Sequence, residues 1–121
     1  MKSLLRTVPA LLFLLLLIPG CRSTAPAETA SAQARLGTQA TKAGLYREAY
    51  FRFERAAALD PSNARYLNNL AILAEALGKL ELAEEYYAKA VKLAPGDKRI
   101  RENHEKLKAY LDPGKPPAPA S

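Results

Sequence analysis

The chain has 121 residues, 25% of them charged, with nine prolines, one Cys, one His, one Met and no Trp. That inventory bounds it to one small domain with accessory ends, forbids an intramolecular disulfide, and leaves little for catalysis or metal binding. The formal net charge is +6, but without Lys2 and Arg6, which lie in a segment read below as removed, sixteen basic residues face twelve acidic ones, too small a bias to imply nucleic acid.

Residues 1–20 open with Lys2 and Arg6 and continue into an unbroken apolar run at 11–18. At about 1.5 Å per residue the apolar stretch 8–18 covers about half of a ~30 Å hydrocarbon core, so it reads as the hydrophobic region of an export signal. Pro19-Gly20 breaks the run and presents an extended segment to a peptidase. Ile18-Pro19-Gly20-Cys21 resembles the lipobox of bacterial lipoproteins: a branched apolar residue, a variable one, a small one, then the cysteine that is lipidated. Pro19 departs from the small or aliphatic residue usual at the second position. The resemblance implies cleavage between Gly20 and Cys21, diacylglycerol in thioether linkage on Cys21, and often acylation of the new amine. Two or more acyl chains anchor stably where one does not. The same resemblance implies, from Arg22 in place of the aspartate associated with inner-membrane retention, the outer membrane over the inner, with the protein facing the periplasm. A buried core cysteine is disfavoured, since the polar stretch 22–26 offers no core. The same residues also admit an ordinary cleaved signal, or an uncleaved anchor holding a cytoplasm-facing adaptor. Residues 22–29 read as a flexible tether.

A period of 34 residues then organises the chain. Pro61 and Pro95 are separated by it, as are Gly44 and Gly78, Ala49 and Ala83, Phe53 and Tyr87, Ala56 and Ala90, Leu59 and Leu93, and Leu36 and Leu70; Gly37 pairs with Ala71. This spacing and residue choice resemble the tetratricopeptide repeat (TPR) family. The fold class expected is all-α: a TPR-type α-solenoid of two helical hairpins, 30–63 and 64–97, and a capping helix at 98–111. Gly37 and Ala71 let the first helix of each hairpin approach the second. Gly44 and Gly78 end the first helices in the left-handed conformation. Ala49 and Ala83 mark the crossing, Phe53 and Tyr87 fill the wedge beside it, and Pro61 and Pro95 stop the second helices. The pattern predicts helices at 29–43, 46–59, 64–77, 80–93 and 98–111.

Leu67, Leu70, Ala74 and Leu77 give the third helix a continuous apolar stripe, whereas Gln33 and Ala40 stand at matching points of the first, which is expected to be the loosest. In the last helix Ile100, His104, Leu107 and Leu111 share one face, as a solvating cap requires. His104 reads as a partly buried cap residue and not a metal ligand, because no other His or free Cys accompanies it. Glu48–Arg52, Glu85–Lys89 and Glu102–Lys106 are expected as (i, i+4) pairs. The basic cluster Lys98, Arg99, Arg101, Lys106 and Lys108 reads as a solvated face. Asp112-Pro113-Gly114 is expected to end the helix, and residues 112–121 read as a disordered Pro-rich tail.

The family resemblance implies a concave surface, lined by the first helix of each hairpin, that holds a peptide or helix of a partner protein. Carried over by position, the groove comprises Ala34, Thr38 and Thr41, then Arg65, Asn68, Asn69, Ile72 and Glu75, then Arg99, Glu102 and Lys106. Asn69 matches the asparagine that hydrogen-bonds a ligand's backbone with both ends of its amide, although Asn68-Asn69 reads equally well as a plain polar surface pair. Ala34 and Thr38 replace the Lys and Asn of the co-chaperone carboxylate clamp, which argues against chaperone carboxyl termini as ligands. Two repeats and a cap are close to the smallest stable array, so the apolar edge of the first helix is expected to be completed by a partner or by self-association into a homo-oligomer. No catalytic set, phosphate loop or cofactor motif appears in the sequence. The expected function is a membrane-tethered protein–protein interaction scaffold of the bacterial envelope, of the kind that assists assembly of a pilus or secretion machine. A role as accessory subunit of an envelope enzyme stays open beside it.

Overall fold

The computed structural model describes residues 28–114. The signal segment and Cys21, and the tail beyond Gly114, lie outside it. The described chain forms five α-helices and no strand: α1 (Ala30–Lys42), α2 (Tyr46–Leu59), α3 (Ala64–Ala76), α4 (Leu80–Leu93) and α5 (Lys98–Leu111). These agree with the expected helices to within a residue at each end.

The helices start and stop by two alternating devices. α1, α3 and α5 each begin with a side-chain cap: Thr29 Oγ1 accepts from Ala32 N at 3.1 Å, Asn63 Oδ1 from Arg65 N at 3.2 Å, and Asp97 Oδ1 from Ile100 N at 3.2 Å. α2 and α4 have no such cap, because each follows a tight turn closed by glycine. Gly44 and Gly78 take φ of +74° and +73°, and the next residues reach back, Leu45 N to Ala40 O at 2.9 Å and Lys79 N to Ala74 O at 2.8 Å. Those bonds satisfy the orphan carbonyls at the ends of α1 and α3.

Small residues mark the crossings. Ala49, Ala56, Ala71, Ala74, Ala83 and Ala90 are fully buried, and Phe53 and Tyr87 fill the space beside them. Gly37 lies so close under Phe53 that a Cβ there would meet two ring carbons at 2.8 Å. α2 then packs onto the second hairpin through Phe53 against Tyr66 and Tyr50 against Tyr86, with ring centroids 6.5 and 6.4 Å apart. The Tyr50 and Tyr86 hydroxyls are 3.0 Å apart.

The open edge of the first hairpin differs in composition from the covered edge of the second. The face of the second hairpin that receives α2 carries Tyr66, Leu70, Leu73, Leu77, Leu82 and Tyr86, all buried or partly buried in the main core. The residues 34 positions earlier, on the open face of the first hairpin, are Ala32, Leu36, Gln39, Ala43, Glu48 and Arg52. That edge is more polar than the covered face of the second hairpin, with Leu36 38% exposed on it. The α1 start is also held: Glu28, expected to belong to the tether, forms a two-oxygen ion pair with Arg55 of α2. Arg55 holds the Glu28 carboxyl below its ordinary range.

α5 closes the other end. Ile100 and Leu107 are buried, and His104 stacks on Tyr87 at 6.1 Å with Nε2 3.3 Å from Glu84 Oε1. Leu111, expected on the same inward face, is 42% exposed. Where α1 and α3 place Gln33, Gly37 and Ala40, and Leu67, Ala71 and Ala74, against their partner helices, α5 has Arg101, Glu105 and Lys108. Among the described residues no sixth helix follows, and those three positions are exposed or half-exposed.

Candidate functional site

α1, α3 and α5 begin 34 residues apart, at 30, 64 and 98, so side chains at matching positions form rows across one surface. Between α1 and α3 this surface holds a groove of about 310 Å³, lined by Thr38, Thr41, Lys42, Phe53, Asn69, Ile72 and Leu73. The floor is apolar, from buried Phe53 and Leu73, while Ile72 stands 41% exposed above it. Both hydroxyls are turned onto their own helix: Thr38 Oγ1 donates to Ala34 O and Thr41 Oγ1 to Gly37 O, each at 2.9 Å. Their remaining lone pairs can accept a hydrogen bond but the hydroxyl hydrogens are already used. The Asn69 amide has no hydrogen-bond partner among the described residues and lines the groove. It offers a donor and an acceptor to one peptide unit of a ligand.

The expected groove residues therefore separate. Thr38, Thr41, Asn69 and Ile72 come together. Ala34 is half-buried against the core. Asn68 does not line the groove at all: it is 1% exposed, and its Oδ1 accepts from Asn103 Nδ2 of α5 at 3.1 Å. A helix turns about 100° per residue, so adjacent Asn68 and Asn69 cannot both face the same surface, and the inward one became a strut between α3 and α5. Arg65 lies apart, in a shallow depression with Asp60 and Asp97 at the start of α3. Glu75 is half-buried, and its Oε1 accepts the Tyr87 hydroxyl. Burial, and then that bond to Glu75, push the Tyr87 hydroxyl well above the ordinary phenol range. Arg99, Glu102 and Lys106 are exposed on α5.

Sequence reasoning misses Lys42 and the two floor residues as parts of the groove. Lys42 is one turn beyond Thr38, which is a sufficient signal; Phe53 reaches the groove from α2 and carries no local sign of it. The expected charge pairs form only in part. Glu48 and Arg52 are 2.6 Å apart, but Glu102 pairs with Lys98 at 3.6 Å in place of Lys106. Lys89 lies 5.9 Å from the Tyr86 ring centroid and not on Glu85.

A larger open depression, about 960 Å³, lies at the outer edge between α1 and α2 and includes Arg35, Phe51, Arg52 and Arg55. Its cations are mostly spent: Arg55 on Glu28 and Arg52 on Glu48, with both guanidinium groups 5.7 Å from the Phe51 ring. Among the described residues no group of His, Cys, Asp and Glu is arranged to hold a metal ion.

Residues 64–97 match the family model of the tetratricopeptide repeat. The fold is similar to that of the Yersinia enterocolitica type III secretion translocator chaperone SycD, with TM-score 0.63 and 18% identity, over 68% of this chain and 61% of that one. The chain thus spans about three fifths of that protein's length. The first TPR of Spaghetti (RPAP3) bound to the HSP90 peptide SRMEEVD is also similar, with TM-score 0.41 and 19% identity over 69% of this chain and 93% of that one. No curated protein matches the chain in sequence. The five helices, the repeat match and the likeness to SycD establish a TPR-type α-solenoid.

Proposed function

We propose that the protein is a lipid-anchored interaction scaffold of the bacterial envelope, which holds a segment of a partner protein in the groove between α1 and α3. The observation that carries the binding half is the pairing of an uncommitted amide, Asn69, with an exposed apolar side chain, Ile72, over a buried apolar floor. An extended peptide needs both a backbone hydrogen-bond partner and a pocket for a side chain. The anchoring half rests on the sequence 18–21, with Cys21 as the lipidated residue and Gly20 as the residue before the cleaved bond. Because Glu28 and Thr29 are fixed to the helical unit, the tether comprises residues 22–27. Six extended residues span at most about 20 Å, which keeps the groove close to the bilayer.

Two measurements test the two halves separately. Intact mass and membrane fractionation of wild type and Cys21→Ser are expected to show acyl mass and membrane retention in the first only; a wild-type chain retaining Met1 or lacking acyl mass ends the lipoprotein reading. A photo-crosslinker at Ile72 is expected to trap a discrete partner in envelope preparations, whereas one at Glu85 on the exposed side of α4 is not. Equal trapping at both sites removes the groove from the proposal.

A further inference from the structure

The outer edge of the first hairpin carries side chains that the second hairpin does not repeat. Phe51, 46% exposed, stands 34 residues before exposed Glu85, and Arg35 and Arg52 stand where the second hairpin has Asn69 and Tyr86. The Arg52 and Arg55 guanidinium groups each lie 5.7 Å from the Phe51 ring centroid, so an exposed aromatic sits beside two cations. Arg35 lines the same depression, and Arg47 is exposed one turn before Phe51 on α2. Neither has an acidic partner among the described residues. Arg52 and Arg55 each use two of the five guanidinium N–H donors within the protein. Arg35, Arg47, Arg52 and Arg55 thus face only Glu28 and Glu48, while Glu54 sits beside the Tyr50 hydroxyl, on the side of the second hairpin.

The place of this edge in the chain gives it an occupant. Glu28, the first described residue, pairs with Arg55 beside Phe51, so the chain toward Cys21 departs from this edge. α5 lies at the opposite end of the array, two helix spacings of about 8–10 Å away. We propose that this edge rests on the bilayer that carries the anchor, with the Phe51 ring at the headgroup–acyl boundary and Arg35, Arg47, Arg52 and Arg55 on the phosphates of anionic phospholipids. This orientation rests on the anchoring half of the function proposed above and adds the surface that meets the membrane. A ring among long cationic side chains suits that boundary, because the ring is apolar while the guanidinium groups stay at headgroup level. Guanidinium offers phosphate paired N–H donors, and each cation near an anionic surface adds an attraction that salt screens. A tether limits distance but leaves rotation free, whereas a seated edge fixes rotation. α1 then lies nearest the bilayer and α5 farthest, and the concave surface running between them stands upright from the membrane.

The chain has no Trp, so Phe51→Trp and Tyr110→Trp each introduce a single reporter, the second on α5 where Tyr110 is 72% exposed. The full chain, purified from membranes, is reconstituted into phosphatidylcholine vesicles with or without phosphatidylglycerol, their acyl chains brominated near the headgroup. With phosphatidylglycerol the reporter at position 51 is expected to shift to the blue and to be quenched about twofold or more, and that at 110 to do neither. Arg35→Glu combined with Arg47→Glu is expected to remove about half or more of the quenching at 51. Arg99→Glu combined with Lys106→Glu makes the same change in net charge on α5 and is expected to leave that quenching unchanged. Equal quenching at 51 and 110 overturns the inference, as does equal quenching at 51 with and without phosphatidylglycerol. A blue shift at 51 that disappears as the protein is diluted in the bilayer assigns the edge to a second copy and overturns it too. Intact mass of the same sample separates the two failures. Acyl mass without quenching at 51 leaves the anchor and removes the seated edge, while absence of acyl mass removes both.

Discussion

The Asn103 amide of α5 donates to the Oδ1 of Asn68 in α3 across 3.1 Å, and Asn68 is 1% exposed. This bond ties the terminal helix to the repeat beneath it by a route the apolar pattern does not describe. Removing the donor leaves a buried carbonyl oxygen without its partner, which costs about 1–3 kcal/mol. Asn103→Ala is therefore expected to lower stability to urea by about that amount, and amide exchange should rise first across α5. Unchanged exchange in α5 would show that the bond does not hold the cap.

Gly37 and Phe53 set the spacing of the first hairpin. A methyl at Gly37 would stand 2.8 Å from two ring carbons, so Gly37→Ala forces the ring or the helix to move at a cost of about 1–3 kcal/mol. Alanine's better helix propensity returns about 1 kcal/mol. Net destabilisation by about 1 kcal/mol is expected, read as a lower urea midpoint. Adding Gly37→Ala to Phe53→Leu should then cost nothing further, because the smaller side chain leaves room for the methyl.

Leu36 and Leu70 occupy the same repeat position in opposite circumstances. Leu70 is 2% exposed in the core, while Leu36 is 38% exposed on the open edge. Leu70→Ala is expected to cost about 2–5 kcal/mol, and Leu36→Ala about 0.5 kcal/mol or less. A large loss on truncating Leu36, dependent on protein concentration, would show that another surface covers it.

Alkaline pH should find the Tyr87–Glu75 contact. Burial, and then the bond to Glu75, raise the Tyr87 hydroxyl above its ordinary value of 10.0; burial, and then the bond to Tyr86, do the same for Tyr50. Below about pH 10 neither the folded nor the unfolded chain ionises these groups, and their contribution to stability is complete. Above it the unfolded chain releases the protons while the folded one retains them, so stability falls as pH rises. Urea midpoints measured between about pH 8 and pH 11 should decline, less steeply for Tyr87→Phe than for wild type. An equal decline in both would remove Tyr87 from the effect.

The sequence alone determined the helices, the two turns and the crossings. Each of these depends on residues near one another in the chain: Gly44 and Gly78 because only glycine takes a positive φ without strain, Pro61 and Pro95 because they cannot continue a helix, and the buried alanines because a repeat writes its packing positions twice. Tertiary structure decided what the polar residues do. Whether Asn68 or Asn69 faces the groove depends on a rotation of α3 fixed by its packing on α2, and both are asparagine in the sequence. Whether Lys106 pairs with Glu102 depends on Lys98, which competes for the same carboxylate one turn earlier. The open edge of α1 became legible only when α2 was seen seated on Leu70 and Leu73, which showed what a covered face looks like and how far Leu36 and Gln39 depart from it.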